Sequence, residues 1–299
     1  MKNVLFGICL ALFALMGMNV QAQNILDEND ETNLSNFYNR TLNTTKRAMP
    51  YPNLRQSDVI WESCIWRTID FREKFNQFFY FPLVEETNSG NQGRINLANL
   101  VYNNVQAGEF EVFDDDELKI PLDWEAIYKR TNKTGHQTVG YVEDEYGEVV
   151  DEGHDSTYNI PFTSEEYYQI YLKEFWYIDK QDSRMKVRII GLALVDNNCK
   201  TDDEGERSCS PTPRFWVPMD DMRVRDIFCR YNVYDLYNNV VERSYDQVFI
   251  SRYFDSYVTR ETNVYNRSID QYLTGEDAQL ESQTIEARIF DLESDMWEY

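Results

Sequence analysis

The sequence predicts an α+β fold, with N-terminal helices, a central antiparallel sheet with hairpins, and C-terminal helices. Three observations carry that expectation. Apolar residues recur three and four apart before about residue 106 and again after Pro218, which is the period of an amphipathic helix. Between these stretches lie two aromatic and β-branched runs, 170–178 and 186–195, joined by Asp179-Lys180-Gln181-Asp182-Ser183, and they read as a hairpin in the middle of a sheet. Helices segregated to the two ends of a block of strands give an α+β architecture rather than an alternating one.

The first residues address the compartment. Lys2, the apolar run Val4–Met16 and the small or tolerated residues Val20-Gln21-Ala22 form a signal-peptide pattern, with cleavage expected between Ala22 and Gln23. The run is shorter than the roughly 20 residues a membrane-spanning helix needs. Cys9 follows Ile8, too large for the residue before a lipidated cysteine, so no lipid anchor is expected. Nor does a second hydrophobic segment follow, so the exported chain is expected to be soluble, without a membrane span.

Residues 23–53 are polar, rich in Asn and Thr, and close on Pro50-Tyr51-Pro52. They read as an extended arm, either a plain terminus or one that docks on a neighbouring subunit. Residues 54–299 are expected to form a single α+β domain. In it, Ser57-Asp58 is placed to cap a helix whose spacing is set by Ile60, Trp61, Cys64, Ile65, Thr68, Ile69, Arg72 and Phe75, and Pro82 ends the segment after it. A second helix, 97–106, shows Leu97, Leu100, Val101 and Val105 on one face and stops at Gly108. These two helices are expected to pack together.

Phe110, Val112 and Phe113 then suggest a short strand. The stretch 139–150, broken around Glu145-Tyr146-Gly147, suggests an exposed hairpin, and Ser164-Glu165-Glu166 a single helical turn. Phe215-Trp216-Val217 supplies another strand. Helices are expected around Met222, Ile227 and Phe228, around Val248, Phe249, Tyr253, Phe254 and Tyr257, and around Ile285, Ile289, Leu292 and Met296.

The formal net charge of −23 repels nucleic acid and anionic lipid surfaces. The abundance of Tyr, Phe and Trp nevertheless supports a core and adhesive interfaces, so the chain does not read as a disordered acidic tail. Basic or calcium-bearing partners fit that charge. Cys199 and Cys209 flank a polar loop, and an oxidising envelope favours a disulfide between them, two free thiols being the alternative. Cys64 and Cys229 lie in apolar patterns and read as core residues. A zinc site is not expected, since no CxxC pair occurs and His136 and His154 are far from all four cysteines in sequence.

Sequence signatures of catalysis are missing. Neither histidine accompanies a nucleophile elbow, and neither a P-loop nor a dinucleotide fingerprint occurs, so no catalytic residues and no cofactor are expected. Paired carboxylates could hydrolyse glycosides, but in so acidic a chain pairs are everywhere. Asp114-Asp115-Asp116-Glu117 and Asp202-Asp203-Glu204 offer oxygen ligands for calcium, or are simply solvated charge. Trp61 and Trp66, the cluster Phe78-Phe79-Tyr80-Phe81 and the terminal Trp297-Glu298-Tyr299 are candidate partner contacts, with core burial the competing reading for the aromatics. Asp155-Ser156-Thr157 resembles a short O-glycosylation sequon, with Ser156 as the acceptor.

Two end motifs carry a family resemblance. Asp58-Val59-Ile60-Trp61 with Trp66-Arg67-Thr68-Ile69-Asp70-Phe71-Arg72-Glu73-Lys74, Asn76-Gln77 and Tyr80-Phe81-Pro82 form the first; Glu281-Ser282 through Ile289-Phe290 to the closing Asp295-Met296-Trp297-Glu298-Tyr299 form the second. With the Phe215-Trp216 and Asp226-Ile227-Phe228 segments between them, the chain resembles the gliding-motility family GldN and its counterpart in non-gliding species, PorN. That resemblance implies a periplasmic, non-catalytic component of the type IX secretion system of Bacteroidetes. It implies self-association in a ring beneath the outer membrane with the lipoprotein GldK or PorK, meeting the periplasmic region of GldM or PorM. A periplasmic carbohydrate-binding protein or carbohydrate-active enzyme is the alternative reading.

Overall fold

The computed structural model describes residues 46–83, 94–139, 142–143, 149–151, 154–182, 184–201, 207–235, 238 and 240–296. In chain order the strands are β1 (Val59–Asp70), β2 (Val112–Phe113), β3 (Pro121–Leu122), β4 (Lys133–Val139), β5 (Val142–Glu143), β6 (Val149–Asp151), β7 (His154–Ile160), β8 (Gln169–Asp179), β9 (Arg184–Thr201), β10 (Arg207–Pro218) and β11 (Tyr257–Glu261). The helices are α1 (Gln77–Tyr80), α2 (Leu97–Gln106), α3 (Trp124–Thr131), α4 (Met222–Arg230), α5 (Tyr245–Ile250) and α6 (Glu276–Asp295). Seven strands form one antiparallel sheet in the order β11-β1-β8-β9-β10-β2-β3; β4 pairs with β7 and β5 with β6. The α+β expectation holds, and the β8–β9 hairpin lies at the centre of the sheet.

The first expected helix is a strand. β1 runs between β8 and β11, with Ile69 opposite Ile170 and Arg67 opposite both Leu172 and Val258. Its apolar residues looked helical because the second half of this strand is covered on both faces. Ile65, Arg67 and Ile69 point one way and Thr68 and Asp70 the other, yet all five are buried. Period alone cannot separate such a segment from a helix; its β-branched and aromatic enrichment favours the strand. The expected packing of this segment as a helix against α2 therefore does not occur. The short α1, which comes after it, packs on α2 instead.

α2 matches its expectation. Asn96 caps it, its side chain accepting from Asn99 N at 2.7 Å; Leu97, Leu100, Val101 and Val105 are buried; and Gly108 takes φ +73° just past the end. The helix expected to reach Tyr257 stops at Ile250. It opens on a capping box of Ser244 and Gln247, and just past its end Arg252 adopts φ +53°, which frees Tyr257 to begin the edge strand β11.

One face of the sheet carries the main core: Ile69, Ile170, Leu172, Leu192, Leu194, Phe215 and Val217 pack against Phe78, Phe79, Leu100, Val101, Phe228 and Phe249 from the helices. At the β11 side, Ile65 and Val258 meet Ile285 and Ile289 of α6. A buried ionic cluster ties these regions together. Glu174, 0% exposed, lies 3.3 Å from Arg67 Nε at an angle short of a hydrogen bond, is paired with Arg252, and accepts from Trp176 Nε1 at 2.9 Å. Arg67 also donates to Glu286 of α6 at 2.7 Å.

Both edges of the sheet are blunted. β3 has two residues and begins at Pro121, which has no amide hydrogen to offer. On β11, the Val258 amide donates to the Ser282 hydroxyl of α6 at 2.9 Å. Residues 46–53 lie without regular structure against the chain's own α4 and β9. Ala48 N donates to Asp226 at 2.8 Å, Arg225 donates to the Met49 carbonyl, and the Tyr51 ring lies between Arg188 and Arg225. Arg225 is itself held by Asp246 at 2.9 Å, both side chains nearly inaccessible.

Candidate functional site

The face of the sheet turned away from the main core forms a cleft of about 950 Å³. Strand register builds its floor: Tyr257, Thr68, Tyr171, Ala193, Trp216 and Phe113 stand opposite one another from strand to strand and share this face, and of these Tyr257, Thr68, Tyr171 and Trp216 line the cleft. The next row along holds Arg260, Trp66, Lys173 and Gly191. Gly191 has a packing reason, since a Cβ there would lie 3.2 Å from the Trp216 ring. Asp114–Asp116 line the cleft as well, and on the far side it continues past β11 to Ile269, Asp270 and the first turns of α6.

The turn between β2 and β3 folds over this face, and each of its acids has an assigned partner. Asp114 pairs with Arg130, which holds its carboxyl below the usual range through a hydrogen bond. Asp115 accepts from the amides of Lys119 and Ile120 at 3.0 and 3.2 Å. Asp116 accepts from Trp66 Nε1 at 2.9 Å and from Arg260 at 2.7 Å, and Glu117 pairs with Lys119. The oxygens considered for calcium thus serve the turn and the sheet. Among the described residues, no group of three or more His, Cys, Asp or Glu converges to hold a metal.

Burial and neighbouring charge shift several groups in and around the cleft. Burial, with Asp255 and Asp70 nearby, raises the Glu73 carboxyl. Burial, with Tyr257 and Asp270, pushes the Tyr171 phenol up to about 12. Asp70 moves the other way: burial opposes its charge, but hydrogen bonds from the Arg72 side chain and amide and from Gln169 prevail and lower it.

The residues singled out from sequence separate into three groups. Phe78 and Phe79 are 2% and 0% exposed and belong to the core, so they are not surface contacts of this chain; with Phe71, Tyr245 and Phe249 they form one aromatic cluster. Trp66 is clamped by Arg260 at 3.5 Å from its ring centroid and by Lys173 at 5.2 Å, and lines the cleft. Trp61 and Tyr80 are half-buried at the surface, Trp61 beside the exposed Ile60, and Tyr80 donates to the Glu165 carbonyl at 3.2 Å. Ala22, Gln23, Trp297 and Tyr299 lie outside the described residues, as do Asp202-Asp203-Glu204.

Ser156 falls in β7, opposite Gln137, and His136 and His154 fall in β4 and β7. Cys199 and Cys209, expected to flank a loop, stand directly opposite one another where β9 and β10 pair. Cys229 is a buried free thiol beside Asp246, and burial with that charge pushes it up to about 12. Sequence reasoning missed the cleft itself and its residues Glu73, Tyr171, Asp255, Tyr257 and Asp270, which carry no local motif; register sets Tyr171 and Tyr257 on one face, and Glu73, Asp255 and Asp270 reach the cleft from segments outside the strands.

Among the described residues, no helix is long and apolar enough to cross a membrane. No curated protein matches the chain at a significant level. A family model described as gliding motility associated protein GldN matches residues 54–298, covering β1 through α6. The chain therefore belongs to the GldN family and is a component of gliding motility machinery.

Proposed function

We propose that this protein is a non-catalytic structural part of the type IX secretion and gliding machinery. It is exported with cleavage between Ala22 and Gln23, and it forms a periplasmic ring with the outer-membrane lipoprotein GldK or PorK that meets the periplasmic region of GldM or PorM. The family match over residues 54–298 carries this reading. Assembly contacts are assigned to surface aromatics, with Trp61 and Tyr80 taking the place of the core-buried Phe78 and Phe79. Affinity isolation of the mature protein from gently solubilised envelopes is expected to recover the lipoprotein in ring-shaped particles by electron microscopy, and a mature N terminus at Gln23. A lone monomer, or one that binds immobilised glycans, would overturn it.

Cys199 and Cys209 form a cross-strand disulfide in this compartment. Directly opposed residues of an antiparallel pair have Cα atoms roughly 4.5–5.5 Å apart, within the span a disulfide bridges. For so short a loop the bond contributes roughly 2–3 kcal/mol. Thiol titration of the denatured, unreduced mature protein is expected to find only Cys64 and Cys229. Reaction of all four cysteines before reduction would exclude the bond.

A further inference from the structure

We propose that the cleft on the outer face of the sheet binds an extended protein segment bearing lysine or arginine side chains. The aliphatic stems lie along Tyr171 and Tyr257, and the cationic heads are held by Glu73, Asp255 and Asp270. This goes beyond the secretion-machine reading and stands on the cleft alone.

Uncompensated charge is the first argument. Salt bridges within the chain reach Asp114 and Asp116 through Arg130, Lys173 and Arg260. Glu73, Asp255 and Asp270 instead accept hydrogen bonds from neutral groups: Asn76 Nδ2 at 3.0 Å, the Ser256 amide at 2.9 Å and the Ser268 hydroxyl. All three line the cleft. Burial is the main cause that raises the Glu73 carboxyl and the Tyr171 phenol, and the neighbouring acids Asp255 and Asp70 for Glu73, and Asp270 for Tyr171, add to it. A cation relieves the uncompensated charge; an anion adds to it, and a neutral sugar leaves it in place.

The floor supplies the second argument. Tyr171 and Tyr257 flank Thr68 across the register and offer ring faces of the kind that bind ammonium and guanidinium groups. Thr68 is 1% exposed, and its hydroxyl sits beside that of Tyr257 without completing a hydrogen bond of ordinary geometry, so the floor keeps an unsatisfied polar group. The absence of a converging acid triad among the described residues argues against a bare metal ion as the cation. A volume of about 950 Å³ running from the β2–β3 turn to α6 has room for several side chains of an extended strand.

The test uses the mature chain and a fluorescent peptide of alternating lysine and alanine, with a serine–alanine peptide as the neutral partner. Saturable anisotropy is expected for the lysine peptide alone. The double variant Glu73→Gln, Asp270→Asn is expected to weaken binding roughly tenfold, while Asp220→Asn, Asp291→Asn, which removes the same charge from exposed positions outside the cleft, leaves it within about twofold. Tyr257→Ala, at an exposed ring, is expected to weaken it independently of charge. Equal losses in the two double variants would reduce the effect to bulk attraction by an acidic protein and overturn the proposal. So would a lack of saturation, or displacement by free spermine as effective as by unlabelled peptide. Because the isolated chain is used, the outcome is independent of ring assembly with GldK or PorK.

Discussion

Phe79→Ala is expected to destabilise the fold by about 3–5 kcal/mol, lowering the melting temperature on the order of 10 °C for a domain of this size. The ring is fully inaccessible and touches Phe71, Phe78, Tyr245 and Phe249 at centroid separations of 4.3–6.2 Å. Truncation removes both its transfer free energy and the contacts of its neighbours, which the strands on one side and helices α2, α4 and α5 on the other prevent from closing the gap. Tyr80, one position on, is half-buried, and Tyr80→Ala is expected to cost far less. Thermal melts of the two variants separate core from surface in this segment. A stable Phe79→Ala protein that failed only in assembly would restore the ring as a contact.

The second large effect is expected at Glu174. Glu174→Ala leaves Arg67 and Arg252 facing each other without their shared carboxylate and deprives Trp176 Nε1 of its acceptor. Removing one partner of a buried ion pair costs about 3–5 kcal/mol, chiefly because the remaining charge is left unpaired away from water. Chemical denaturation should show that loss, and added salt should do little to change it, because Glu174 is fully inaccessible. Since Arg67 also holds Glu286, α6 is expected to become more protease-sensitive in this variant. An unchanged denaturation midpoint would show that the cluster contributes specificity rather than stability.

How much of this was legible in the sequence depended on whether the signal was local. The β8–β9 hairpin announced itself through β-branched and aromatic runs, and α2 through its apolar stripe and Gly108. β1 did not, because its second half, covered on both faces, loses its alternation, and in the first half Ile60, Trp61, Cys64 and Ile65 fall by chance at helical intervals. For Phe78 and Phe79 the sequence offered both a partner contact and core burial, and the structure takes the second. The family resemblance rested on two end motifs, and the match over 54–298 agrees with it. The cleft was illegible for a different reason: Glu73, Asp116, Tyr171, Tyr257 and Asp270 are scattered along the chain, and only the folded sheet with its flanking turns places them together. With acids so frequent, nothing in their local sequence distinguishes those lining the cleft from those facing bulk solvent.

The blunted edges of the main sheet constrain how copies of this chain can associate. With Pro121 at one border and the Val258 amide turned to Ser282 at the other, a second molecule finds little continuous backbone on which to add a strand. Even when many copies are crowded together, association is steered toward side-chain surfaces, whose pairing depends on residue identity. Closed assemblies of defined geometry then compete favourably with open-ended, fibre-like stacking.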